Sequence, residues 1–131
     1  MKTLMKQITN WNNEQLSMDD LLKQITGLAF CVTSETGHFI EVNEAYTKFY
    51  GYSESELLGK HFTMVVPEGY RQTASEIHDR FIKGENEMPT QWQVQRKDGK
   101  MVDIIAYAIR AKSPDGKEMK VTMLELLEPK A

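Results

Sequence analysis

The order and periodicity of the chain predict an α+β domain. It is a five-stranded antiparallel sheet with short helices and one longer helix on one face, preceded by an N-terminal amphipathic helical segment. Three observations point there. Two short apolar runs come first, then a stretch with helical spacing, then three runs in strand pattern. The links between those last three, Asp98-Gly99 and Pro114-Asp115-Gly116, are tight-turn sequences that fold a chain back on itself. Residues 101–111 are apolar on both sides, with Val102, Ile104 and Ala106 on one and Met101, Ile105, Tyr107 and Ile109 on the other, as in a central strand covered twice.

In chain order, residues 1–26 form the helical segment and 27–131 the domain. Leu4, Ile8, Trp11, Met18, Leu22 and Ile25 recur at alternating four- and three-residue steps, with Gln15 in the one polar slot. Asn12 and Asn13 are weak helix formers and Ser17 with Asp20 reads as a fresh cap, so two consecutive amphipathic helices are expected. Their apolar stripe is a candidate cover for the sheet's second face and a candidate homodimer contact. Ala29–Ser34 and His38–Val42 read as strands around the turn Glu35-Thr36-Gly37. Asn43 is placed to cap a helix carrying Ala45, Tyr46 and Phe49, and Gly51 to end it. Ser53 and Glu56 have capping-box spacing for a second short helix. Pro67 suits the first position of the long helix, whose predicted buried stripe is Tyr70, Ala74, Ile77 and Phe81 and which Gly84 stops. Thr90–Lys97, Met101–Ala111 and Glu118–Leu127 are the remaining strands. Helices as short as those after Asn43 do not persist alone, so they must be pinned on the sheet.

Length and composition bound the function. At 131 residues the chain builds one core, and 40% hydrophobic with 27% charged residues is ordinary for a globular protein. A net charge of -3 without a basic patch argues against nucleic acid and against an anionic membrane surface. The longest apolar run, Ile104 to Ile109, is far too short to span a bilayer. Lys2, Lys6 and Asn10 interrupt the start in a way a secretory leader does not, so a cytoplasmic location is expected. The single cysteine, Cys31, excludes an internal disulfide and reads as a small buried residue.

The stretch VNEAYTKFYGYSESELLGK (42–60) resembles the strand-to-helix core of the PAS family of sensory domains, and QRKDGK (95–100) before the long strand is also similar. The resemblance covers residues 27–128. It implies a curved sheet cupping the helices around a central cavity, and a sensory or regulatory role in signal transduction. No phosphate-cradling glycine loop, nucleophile elbow, CxxC or HExxH is present, so no catalysis is expected. Asp103, between Val102 and Ile104, is the one carboxylate whose burial would suit acid–base chemistry. The chromophore cysteines of the flavin photosensor and photoactive yellow protein branches have no counterpart in GKHFTMVVPE or PEGYRQTAS. Two cofactor readings stay open by resemblance: haem on His78 of the long helix, at the border of its apolar stripe, and flavin stacked beside Trp92. His38 and His61 read as surface residues.

The expected cavity lining is Phe30, Val32, Tyr46, Phe49, Met64, Ile77, His78, Phe81, Trp92, Ile104 and Thr122, an apolar wall with a few polar groups for a small apolar ligand. The competing expectation is a filled interior and a purely protein-binding module that docks a signalling partner or a second copy. The resemblance also implies an exit helix that the residues after Leu127 do not supply, so the chain is expected to be either a piece of a longer receptor or a free-standing domain.

Overall fold

The computed structural model of the protein describes residues 28–127. Strands β1 (Ala29–Thr33) and β2 (Phe39–Val42) lead to two short helices, α1 (Glu44–Tyr50) and α2 (Glu54–Leu57). Two 3-10 turns, Phe62–Val65 and Glu68–Tyr70, then run into the longer α3 (Arg71–Ile82). Strands β3 (Thr90–Gln95), β4 (Met101–Lys112) and β5 (Glu118–Leu126) complete one sheet in the order β2-β1-β5-β4-β3, antiparallel throughout. The predicted fold class is the observed one. The expected helical segment 1–26, with Leu4, Ile8, Trp11, Met18, Leu22 and Ile25, lies outside the described residues.

Local chemistry explains most element ends. Asn43 accepts the Tyr46 amide at the start of α1 and, with the same oxygen, the Phe30 amide of β1 at 3.0 Å. Its side-chain amide donates to the Leu28 carbonyl, so one residue joins the first strand to the first helix. Gly51, at φ 83°, takes the left-handed position that ends α1, where a β-carbon would be strained. Ser53 and Glu56 form the reciprocal capping box of α2. Gly37 is a different case. Its φ is 83° and a β-carbon there would stand 2.7 Å from His61 Nε2, so only glycine lets the 61–62 segment pair along β2.

The long helix begins later than its sequence suggests. Pro67 keeps an extended backbone (ψ 142°), so the first turn is 3-10 and the α-helix starts at Arg71. Tyr70 therefore sits outside the helix and is 54% exposed, and the buried stripe is Ala74, His78 and Phe81 rather than Tyr70, Ala74, Ile77 and Phe81. Arg110 of β4 reaches across to the far end of α3. Its guanidinium donates to the carbonyls of Phe81 and Glu85 and lies 4.2 Å from the Phe81 ring centre.

Strand register sorts the sheet into two faces. Cys31, Thr33, Lys120, Thr122, Leu124, Ile104 and Trp92 share the helix side, because the paired residues Cys31–Thr122, Thr33–Lys120 and Trp92–Ile104 stand on one face. Phe30, Val32, Tyr107, Ile109, Val121 and Met123 form a separate apolar cluster on the other face. Phe30 and Val32 were expected at the cavity. The two-residue period of β1 turns them away and brings Cys31 and Thr33 there instead, so those two assignments are corrected.

Candidate functional site

Between the helix side of the sheet and α1, the 62–65 turn and α3 lies a cavity of about 90 Å³. Six of the expected residues line it: Tyr46, Ile77, His78, Trp92, Ile104 and Thr122. Phe49 and Met64 instead pack, half-buried, against the apolar cluster around α1, and Phe81 is buried outside the lining with its ring beneath two cations. Cys31, Thr33, Tyr50, Phe62, Glu87 and Lys120 also line the cavity and were not anticipated there. The same period-two alternation that marked Thr122 carries the signal for Lys120 and Leu124. Glu87 lies on an irregular connection, where no period operates.

Lys120 is the group that sets the site apart. Its side chain is 9% exposed, its Nζ is 2.9 Å from Glu87 Oε2, and it sits 5.1 Å from the Phe81 ring centre. An ammonium taken out of water needs such a partner, since an unpaired buried charge costs several kcal/mol, on the order of 3–5 when one member of a pair is removed. Beside it, His78 is 2% exposed and its Nε2 is 2.9 Å from the Thr33 hydroxyl. Thr33 donates to the Lys120 carbonyl at 3.4 Å, which leaves its oxygen to accept from the Nε2–H of His78. His78 stacks on Phe62, which stacks on His61, with ring centres 5.2 Å and 5.0 Å apart. The sequence placed His78 at the border of its stripe; packing against Phe62 draws it fully inside.

Burial and then the Lys120 charge lower His78 to about 4, so the imidazole is neutral at physiological pH. Burial pushes the Cys31 thiol up to about 11, against opposing hydrogen bonds to Tyr46 and Thr122, and so makes it a poor nucleophile. Tyr46 and Tyr50 are raised by the same loss of solvent. Asp103 is exposed, opposite Gln93 on the sheet's edge pair, and so lacks the burial that acid–base chemistry would use.

The cavity is small for either cofactor left open by the sequence. Pockets that enclose drug-sized molecules measure about 300–1,000 Å³, well above this one, and haem and flavin are larger still. The Nε2 of His78 is already engaged by Thr33. Among the described residues no group of three or more His, Cys, Asp or Glu side chains is placed to hold a metal ion. None of their helices is long and apolar enough to cross a membrane.

The family model for the PAS domain matches residues 27–126. Solved structures with the same fold include a PAS domain from Desulfitobacterium hafniense, 18% identical, with a TM-score of 0.69 over 76% of this chain and 92% of that one. The PAS domain of an HTR-like protein from Haloarcula marismortui is 17% identical, with a TM-score of 0.66 over 97% of this chain and all of that one (100%). A domain of a sensory box sensor histidine kinase/response regulator from Geobacter sulfurreducens is 19% identical, with a TM-score of 0.61 over 79% and 91%. No curated protein matches the chain by sequence.

Proposed function

The chain belongs to the PAS domain family of sensory signalling modules, and from that premise we propose that it senses a small molecule held in the cavity under α3. The observation that carries this reading is a small apolar-walled space with Lys120, His78 and Thr33 buried at one end. A domain needing only a packed interior would fill that end with aliphatic side chains, which pack at no desolvation cost. Polar groups converging in an apolar cavity are what fix a ligand's orientation. No catalytic step is assigned, and a cytoplasmic location belongs to the same proposal.

The second part of the proposal concerns output. Phe30, Val32, Tyr107, Ile109, Val121 and Met123 are all 4% exposed or less, yet their cluster contains only strand residues, while every described helix that joins an apolar cluster does so on the opposite face. We assign the cover of this outer face to the amphipathic residues 1–26, and their stripe to a homodimer contact. A ligand then acts by binding two arrangements of that cover with different affinity.

Native mass spectrometry and thermal melting of the purified protein test the first part. Extra mass of a small organic compound, or a melting shift that rises with ligand as RT ln(1 + [L]/Kd), is the expected result. A protein that carries nothing and responds to no compound in a small-molecule panel would favour the docking-module reading. Leu22→Asp with Ile25→Asp in the full chain tests the second part: sedimentation should show the dimer lost, and an unchanged dimer would remove this interface assignment.

A further inference from the structure

We propose that the cavity takes a short-chain monocarboxylate, whose carboxylate replaces that of Glu87 on Lys120. The inference rests on the ligand-sensing reading above and adds the ligand's chemical class and the contact it breaks.

Lys120 comes from the central strand β5 and is held in place by the sheet on both sides, opposite Thr33 and Arg110. Glu87 comes from the connection between α3 and β3, beside Met88, which is 72% exposed. The cation is fixed and the anion is on a tether. Arg110 secures the connection as far as the Glu85 carbonyl, so the segment that must move to release Glu87 is only 86–89. A carboxylate that leaves the pair returns to water, while the ammonium must not be left alone. Any occupant of the Lys120 end therefore has to bring a negative charge of its own.

The rest of the lining selects among anions. Among the described residues Glu87 is the one carboxylate in the cavity wall and Lys120 the one ammonium, so the site neutralises a single negative charge. A second carboxylate on the ligand would find no cation, because Arg110 is committed to two carbonyls and the Phe81 ring. The Thr33 hydroxyl, now making a long 3.4 Å bond to the Lys120 carbonyl, is the donor placed to turn to the ligand's second oxygen. Beyond these groups the wall is Val65, Ile104, Ala106 and Trp92, which suits an alkyl chain. The space, about 90 Å³, is small beside pockets that enclose drug-sized molecules, so that chain is short. Binding would free Glu87 and loosen residues 86–89 at the entry to β3, turning ligand chemistry into a change of shape.

The test is a titration of the full chain with acetate, propionate, butyrate and valerate, and with butyramide as the neutral isostere, followed by amide NMR shifts and calorimetry. Wild type should bind butyrate and shift Thr33, Glu87, Met88 and Lys120. Glu87→Gln removes the internal competitor and should tighten butyrate at least tenfold, with no gain for butyramide. Lys120→Met should abolish butyrate binding. Should that variant fail to fold, the charge-balanced double variant Lys120→Met with Glu87→Gln keeps the test, with the same loss expected. Weaker butyrate binding in Glu87→Gln, or equal binding of butyrate and butyramide, would overturn the proposal. If butyramide binds and no acid does, the carboxylate inference falls while the ligand pocket stands. If nothing in the series binds, the carboxylate inference falls, and the panel screen above decides the pocket separately.

Discussion

The two faces of the central strands are built from alternate residues of the same strands, yet they carry opposite chemistry. On the outer face Phe30, Val32, Ile109, Val121 and Met123 form an apolar cluster whose heteroatoms are methionine sulfurs and the Tyr107 hydroxyl. On the helix side the same strands bury Thr33, His78's partner, and Lys120 next to a cavity. The reason is geometric. On the outer face the side chains form one continuous apolar cluster, whereas short helices arched over the inner face leave a space between α1 and α3. A gap in an apolar wall forfeits contacts, so it is worth keeping only where the groups around it have work to do.

Truncation should separate the faces most sharply. Met123→Ala on the outer face, where the side chain is fully buried, should cost about 2–5 kcal/mol in denaturant unfolding, the range for losing a large core side chain. A loss under about 1 kcal/mol would show that this face is loosely packed and would break the contrast. Acid tests the inner face. His78 titrates near 4 when folded and near 6.5 when free, so the unfolded chain takes up the proton first as pH falls. Stability should therefore be level above about pH 6.5 and decline toward pH 4, by on the order of 2 kcal/mol. The charged or titrating groups acting on it are Lys120, His61 and Asp79, the last of which opposes the shift. His78→Gln should flatten that decline, and a melting temperature with the same pH dependence in both proteins would reject the assignment.

Overfilling sharpens the contrast further. Val121 is fully buried on the outer face, and Val121→Phe should overpack it and destabilise by about 1–3 kcal/mol. The smallest effect has the opposite sign. Ala106→Val adds methyl groups beside the cavity in a β-branched residue suited to a strand, and should be neutral or gain up to about 1 kcal/mol. It should also weaken any ligand, since it takes up part of about 90 Å³. If both enlargements destabilise equally, the cavity is not open space for a side chain.

How much was legible depended on how local each signal was. Asn43, Gly51 and the Ser53–Glu56 box act within a few residues, and each appears in the structure in the role its spacing suggested. Six of the eleven expected lining residues meet at the cavity. Phe30 and Val32 read as lining from their hydrophobicity, but a strand with apolar residues on both sides does not declare which side faces the helices. Lys120 by its residue type gives no signal of burial in the sequence, because a lysine reads as exposed until its partner is known. Glu87 is that partner, and it is 33 positions away on a segment without a period.

The amino-acid sequence by itself determined the kinds of element, their caps and turns, and the family to which the fold belongs. Those depend on contacts between near neighbours and on the two- and 3.6-residue periods of the backbone. Only the tertiary structure decided that the first strand lies against the last, that Thr33 and Cys31 look inward, and that Lys120 finds Glu87 over the Phe81 ring. Such pairings join residues far apart in the chain. Their free energy exists only once the sheet has closed and water has left the space beneath α3.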